Sequence, residues 1–160
     1  MIRPVKTEDA ESIAAIYNEY VLNTDISFET DAVTTEEMRL RISEISTKFP
    51  YFVYEIDGKV VGYSYAHLWK SRAAYRHTLE TTIYIATNYQ GQGIGRKLME
   101  KLIESCKHQG YKVLIACITE DNLKSCIMHE NLGFKQVSHF EKVGCKFGRW
   151  LGVRDFELIL

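Results

Sequence analysis

The sequence predicts a single α/β domain over residues 1–160, a mixed, mostly antiparallel twisted sheet flanked by helices. Three observations carry that reading. The chain has 160 residues, 46% of them hydrophobic, enough for one core without covalent staples. Segments of helical period and segments rich in β-formers follow in the order β-α-α-β-β-β-α-β-α-β-β, a layered α/β pattern. No Ser/Gly-rich linker, repeat or low-complexity stretch divides the chain, and Pro4 and Pro50 are its only prolines.

Each element has its own warrant. Ile2-Arg3-Pro4-Val5 is short and strand-like. Thr7-Glu8-Asp9 supplies acidic, cap-like residues before Ala10, Ile13, Ala14, Tyr17 and Tyr20, whose spacing is helical. Thr34 with Glu37 makes a capping-box pattern ahead of Met38, Ile42 and Ile45, a second helix. A polar loop carrying Ser27-Phe28-Glu29-Thr30 lies between them. YFVYEI and KVVGYSYAHL flank Asp57-Gly58, a pair that suits a tight hairpin turn because its central positions need positive φ. A basic connection, KSRAAYRH, leads to a β-rich run from Leu79 to Ala86. Gly91, Gly93 and Gly95 then introduce a helix with apolar Ile94, Leu98, Leu102, Ile103 and Cys106, and Gly110 is its expected stop. Lys112 to Ile118 is almost continuously apolar, as in a strand covered on both faces. A short helix is expected from about Leu123 to Leu132, ending at Gly133. Strands near Phe134–Val143 and Val153–Leu160 close the chain.

Composition excludes several classes of function. Twenty basic against 21 acidic side chains give a formal charge of −1, which argues against a dedicated nucleic-acid binder. No apolar run is long enough to span a bilayer. The start MIRPVKTEDAESI lacks the apolar region of a signal peptide, so a cytoplasmic location is expected. Cys106, Cys117, Cys126 and Cys145 form no C-x-x-C pair and read as reduced thiols. No metal site is expected: His129-Glu130 resembles the start of H-E-x-x-H, but Gly133 stands where the second histidine belongs.

The most informative stretch is Ile83-Tyr84-Ile85-Ala86-Thr87-Asn88-Tyr89-Gln90-Gly91-Gln92-Gly93-Ile94-Gly95-Arg96. A strand runs into a loop with glycine at alternate positions, and a helix begins there. Glycines let backbone N–H groups turn towards a ligand, and a helix N-terminus adds unpaired donors with partial positive charge. Together they suit a pyrophosphate, with Arg96 and Lys97 adding charge. Glycine spacing alone is equally satisfied by a plain tight turn. A P-loop is excluded, since counting from Gly91 puts Arg96 where G-x-x-x-x-G-K-[ST] needs its second glycine and Leu98 where it needs the hydroxyl. A dinucleotide fingerprint would be G-x-G-x-x-G after the first strand, not G-x-G-x-G in mid-chain.

Gln90-Gly91-Gln92-Gly93-Ile94-Gly95 matches the Q/R-x-x-G-x-G/A signature of the GNAT superfamily of N-acetyltransferases. Asn122, Ser125 and His129-Glu130-Asn131-Leu132-Gly133-Phe134 are similar to its fourth-helix motif. Within the superfamily the chain resembles the phosphinothricin/methionine sulfoximine acetyltransferase branch. The matching pieces are Ile16-Tyr17-Asn18, Ser27-Phe28-Glu29-Thr30, Arg72-Ala73-Ala74-Tyr75-Arg76, Thr78-Leu79-Glu80 and the run from Val143 to Trp150.

The resemblance implies one acetyltransferase domain with acetyl-CoA as co-substrate and a small amino-acid-like amine as acceptor. It assigns the pyrophosphate to Gln90, Gly91, Gln92, Gly93, Ile94, Gly95 and Arg96, and the pantetheine arm to the backbone of Ile83, Tyr84 and Ile85. Asn122 and Ser125 complete the cofactor set. Glu80 is the candidate general base, on one strand face with Thr78 and Thr82. His129 is the second catalytic candidate, standing where many relatives carry a tyrosine that serves as acid. Phe28, Glu29, Arg72, Tyr75 and Arg76 are candidates for holding the acceptor, the arginines by forked hydrogen bonds to an anionic group. Lys146, Arg149 and Trp150 point to a homodimer surface near the pocket. The alternatives are acetylation of a protein N-terminus, a polyamine or another amine, and a non-catalytic acetyl-CoA-binding module.

Overall fold

A computed structural model describes all residues from Met1 to Leu160. Its elements are β1 (Ile2–Pro4), α1 (Ala10–Asn23), α2 (Thr35–Ser46), β2 (Tyr51–Ile56), β3 (Lys59–Leu68), β4 (Thr78–Ile85), α3 (Ile94–His108), β5 (Val113–Thr119), α4 (Leu123–Asn131), β6 (Lys135–Lys146) and β7 (Arg149–Ile159). The element order is the one expected. The sheet runs β1-β2-β3-β4-β5-β7-β6. Only β4 and β5 are parallel; every other neighbouring pair is antiparallel.

Local chemistry places the boundaries. The Thr34 hydroxyl accepts from the Glu37 N–H at 3.1 Å, and the Glu37 carboxylate accepts from the Thr34 N–H at 2.8 Å, so α2 starts on the capping box. Asp57 and Gly58 take φ of 48° and 76°, the left-handed pair that a tight β2–β3 turn needs. Gly110, at φ 84°, ends α3.

The two sheet faces carry separate cores. On one, Ile13, Tyr20, Met38 and Ile42 of α1 and α2 pack on Tyr51, Val53 and Tyr63. On the other, Met99, Leu102 and Cys106 of α3 pack with Cys126 of α4 on Leu79, Leu114 and Phe156. Leu98, Met99 and Leu102 are fully buried, and each contributes about 1.5–3 kcal/mol.

The C-terminal hairpin departs from expectation. The closing strands were expected near Phe134–Val143 and Val153–Leu160, yet β6 runs on to Lys146 and β7 begins at Arg149. Phe147 and Gly148 make the turn at φ 53° and 70°. Glycine and polar residues make that stretch read as loop, but register pairs such as Lys146↔Arg149 and Cys145↔Trp150 hold it as a ladder. Lys146, expected at a pocket or dimer surface, is buried and donates to the Ser27 carbonyl at 2.6 Å. Gly144 lies under the Phe28 ring, where any Cβ would overlap it. The hairpin tip thus fixes the loop between α1 and α2.

Candidate active site

The site begins where two strands part. β4 pairs with β5 only at Thr78↔Val113, Leu79↔Leu114 and Glu80↔Ile115. Both strands continue, to Ile85 and Thr119, so beyond Glu80 a wedge lies open in mid-sheet. The Ala86 N–H donates to Val61 on the β3 side at 2.9 Å. Backbone groups alternate along a strand, so those of Ile83 and Ile85 face the wedge. The Tyr20 hydroxyl donates to the Ile85 carbonyl there. An extended ligand bearing amides can pair with this edge as an added strand.

The wedge leads into a groove of about 630 Å³ whose lining includes Ile83, Ile85, Gln90, Gly93, Ser125 and Met128. Gly91 and Gly93 sit at φ 74° and 76°, and a Cβ on either would meet no protein atom. What glycine supplies here is the left-handed backbone, and it leaves the space above the loop clear. Gly93 is the N-cap of α3 with no side-chain cap, so the first N–H groups of α3 are available to an anion. Gln90 donates to the Tyr20 hydroxyl at 2.8 Å, tying the loop to α1. A Cβ on Gly95 would press on the Met128 sulfur at 3.2 Å, so its absence lets α3 and α4 approach. Asn122 caps α4, its side chain accepting from the Ser125 N–H at 3.3 Å. Arg96 pairs with Glu100 at 2.7 Å on the exposed rim. Of the run from Gln90 to Arg96, Gln92 alone lies outside the groove lining; it donates to the Asn88 carbonyl at 3.4 Å.

A second cleft, of about 500 Å³, lies on the face that carries α1 and α2. Tyr17, Tyr65, Tyr84 and Phe28 form aromatic walls, and His67, Glu80, Cys117 and Thr119 supply polar groups. A narrower neck of about 140 Å³ shares Thr82 and Cys117 with the cleft and Ile83, Asn122 and Ser125 with the groove, and His129 lines it too. Glu80 lines both cleft and neck.

The sheet register explains the setting of Glu80. His67 is its β3 partner, and Asp155 is the β7 partner of Cys117 on the same face. Burial raises the Glu80 carboxyl above its ordinary value; His67 and the Cys117 thiol work against that, and Asp155 adds to it. Burial also raises the Cys117 thiol.

His129 is 2% exposed, and its Nδ1 lies 2.8 Å from the Ser125 carbonyl. A carbonyl only accepts, so Nδ1 carries the proton. Burial lowers the imidazole pKa, with the Ser125 contact opposing. That shift favours the neutral ring, with its lone pair on Nε2. In this tautomer Nε2 is a hydrogen-bond acceptor.

The acceptor candidates separate. Phe28 and Glu29 line the cleft. The Glu29 carboxylate is already held by Arg41 at 2.7 and 2.8 Å and by the Tyr17 hydroxyl, which leaves it little capacity for a substrate ammonium. Arg72 and Tyr75 do not line the cleft but form a separate exposed depression with Lys70 and Ser71. Arg76 turns its guanidinium to the Ala73 carbonyl at 3.4 Å. Adjacency to Glu80 in sequence does not bring this loop into the same cavity, because β4 carries Glu80 away from it. Tyr17, Tyr65, His67, Cys117 and Thr119 are cleft residues that the sequence reading did not single out. Their signal was a polar residue at every second position, His67 after Tyr65 and Thr119 after Cys117, in strands otherwise apolar.

No helix is long and apolar enough to cross a membrane. A family model described as the acetyltransferase (GNAT) domain matches residues 2–152. The phosphinothricin N-acetyltransferase of Alcaligenes faecalis is 40% identical over 152 residues, covering 94% of this chain and 77% of that protein. A solved ribosomal-protein-alanine N-acetyltransferase from Brucella melitensis superposes with a TM-score of 0.98 at 35% identity, over 100% of this chain and 99% of that one. A phosphinothricin acetyltransferase from Sinorhizobium meliloti, solved in complex with acetyl-CoA, gives 0.96 at 34% identity, over 100% and 88%. The split sheet and glycine loop described above, together with a family match across nearly the whole chain, make this protein a member of the GNAT family and an N-acetyltransferase.

Proposed function

We propose that this enzyme transfers the acetyl group of acetyl-CoA to the amine of a small amino-acid-like acceptor of phosphinothricin or methionine sulfoximine/sulfone type, by direct attack in a ternary complex. The observation that carries the reading is the position of Glu80, which borders both the aromatic cleft and the neck to the glycine-loop groove. The activated acyl group is acetyl-CoA's contribution. The N–H groups at the start of α3 hold its pyrophosphate, and Ile83 and Ile85 pair with the pantetheine amides. The same strand edge donates to the thioester oxygen as charge gathers there. Glu80 accepts the amine proton, directly or through water, its raised pKa bringing it nearer to working pH. His129 packs against the neck as a neutral ring, and as the C–N bond forms and the C–S bond breaks the sulfur leaves as thiolate and takes its proton from water.

The relatives named above support the acceptor class. A peptide α-amine is the second reading, favoured by the name of the Brucella structure. A panel of amines assayed by thiol release decides between them. Phosphinothricin and methionine sulfone should react, while N-terminal peptides and polyamines stay near background. Activity confined to peptides or polyamines would end the amino-acid reading. The panel also carries acceptor esters, because Arg72, Tyr75 and Arg76 are proposed to attract the acceptor's anion at the outer rim. Esterification should raise KM about tenfold or more, one charged hydrogen bond being ~1.5–3 kcal/mol. An ester with the KM of the acid would remove the loop from the site.

We also propose that the enzyme is a homodimer joined through the C-terminal hairpin. Val143, Phe147 and Trp150 leave large apolar surfaces exposed there, Trp150 at 66%. Sedimentation should give twice the 18.5 kDa of the chain, and Trp150→Glu should shift the protein towards monomer. A wild-type monomer at micromolar concentration would refute this.

A further inference from the structure

We propose that the Thr119 hydroxyl is a polar anchor for the acceptor substrate and helps to determine which amines the enzyme accepts. Thr119 ends β5 on the face shared with Cys117, opposite Val153 of β7. Its side chain is 6% exposed, and its Oγ1 is buried without a hydrogen-bond partner. A buried hydroxyl is nearly always paired, because an unmade hydrogen bond costs more than a made one contributes. Two other side-chain atoms share that condition, Ser138 Oγ and Arg154 Nε, and neither residue lines the cleft. Thr119 lines it, and also lines the neck.

The ligand it serves follows from which cavities it borders. Thr119 is absent from the lining of the glycine-loop groove, so the residue borders the cleft and neck alone. The cleft holds no lysine or arginine of this chain. Thr119 and Thr82 are therefore among the groups left to meet the polar parts of an acceptor inside it. Thr119 can donate one hydrogen bond to an acceptor oxygen and accept another from an N–H. A site built to pair a substrate group discriminates strongly against analogues that lack it.

This inference rests on the amino-acid reading above, and its test separates the two. Thr119→Val keeps the shape and removes the hydroxyl; Thr119→Ser keeps the hydroxyl and removes the methyl. With phosphinothricin as acceptor, Thr119→Val should lower kcat/KM about tenfold through acceptor KM, while Thr119→Ser stays within about threefold of wild type. The Kd for acetyl-CoA should be unchanged in both. The melting temperature of Thr119→Val should hold or rise, because no protein partner is lost. Unaltered kcat/KM in Thr119→Val would overturn the proposal. So would an equal loss in Thr119→Ser, a tenfold weaker acetyl-CoA Kd, or a lower melting temperature, which would reveal a structural partner. A wild type inert towards phosphinothricin defeats the amino-acid reading instead, and the variants are then compared on the amine that the panel returns.

Discussion

Replacing Glu80 with glutamine should reduce turnover by roughly 10²–10⁴, the range for losing a general base. The substitution keeps the size and the strand position and removes proton acceptance. Acetyl-CoA affinity should hardly move, since the glycine loop begins ten residues later, at Gln90. The pH dependence gives a second signature. Burial raises the Glu80 carboxyl, so the acid limb of kcat/KM should lie above the ordinary carboxylate range and vanish in Glu80→Gln. Stability should move the other way. A carboxyl with a raised folded pKa favours the fold fully below its unfolded pKa and loses that contribution as pH rises through the folded pKa. At pH 7 the glutamine variant should therefore melt no lower than wild type, and slightly higher. Near-normal turnover at neutral pH would show that the proton leaves by another route, and a melting point well below wild type would mark Glu80 as structural.

Gly93→Val should weaken acetyl-CoA binding by one to two decades in calorimetry. Gly93 holds φ at 76°, where a β-branched residue is a genuine outlier. The Cβ would meet no protein atom, so crowding within the fold is not the cause. The loop must instead relax away from its left-handed geometry and carry the first N–H donors of α3 out of alignment. Each hydrogen bond to a charged group is worth about 1.5–3 kcal/mol, which sets the scale. Stability should fall by about 1–2 kcal/mol from backbone strain, leaving a folded protein. An unchanged Kd in that folded variant would detach the loop from cofactor binding.

The parts of the molecule that were legible in the sequence are those governed by local backbone chemistry. Asp57-Gly58, Thr34 with Glu37, and Gly91 with Gly93 announce a turn, a cap and a cradle, because each conformation is accessible to few residue types. The turn at Phe147-Gly148 was missed because phenylalanine at positive φ goes against its own preference and is held by the ladder on either side. Lys146 misled for a related reason. Lysine seldom enters a core, and what admits this one is a carbonyl from a loop 119 residues away in sequence. The glycine-loop groove was legible because one continuous segment builds most of it. The aromatic cleft was not, since β3, β4, β5, β7 and the Ser27–Glu29 loop contribute to it from across the chain. The Arg72–Arg76 loop shows the same limit from the other direction, as its nearness to Glu80 along the chain does not place it in the cleft that Glu80 lines.

The parting of β4 from β5 bears on a different matter, the protein's behaviour in a crowded solution. An unpaired strand edge is the feature by which folded proteins aggregate, and outer edges are usually blunted by charge, proline or irregularity. Here such an edge lies inside the sheet, where a neighbouring molecule cannot add a broad ribbon to it. The Tyr20 hydroxyl occupies the Ile85 carbonyl, so a ladder started along the wedge cannot run past the end of β4. What can still enter is a single slender chain with amides along its length. The parting of the two strands thus leaves raw strand edge inside the sheet without making it a template for precipitation.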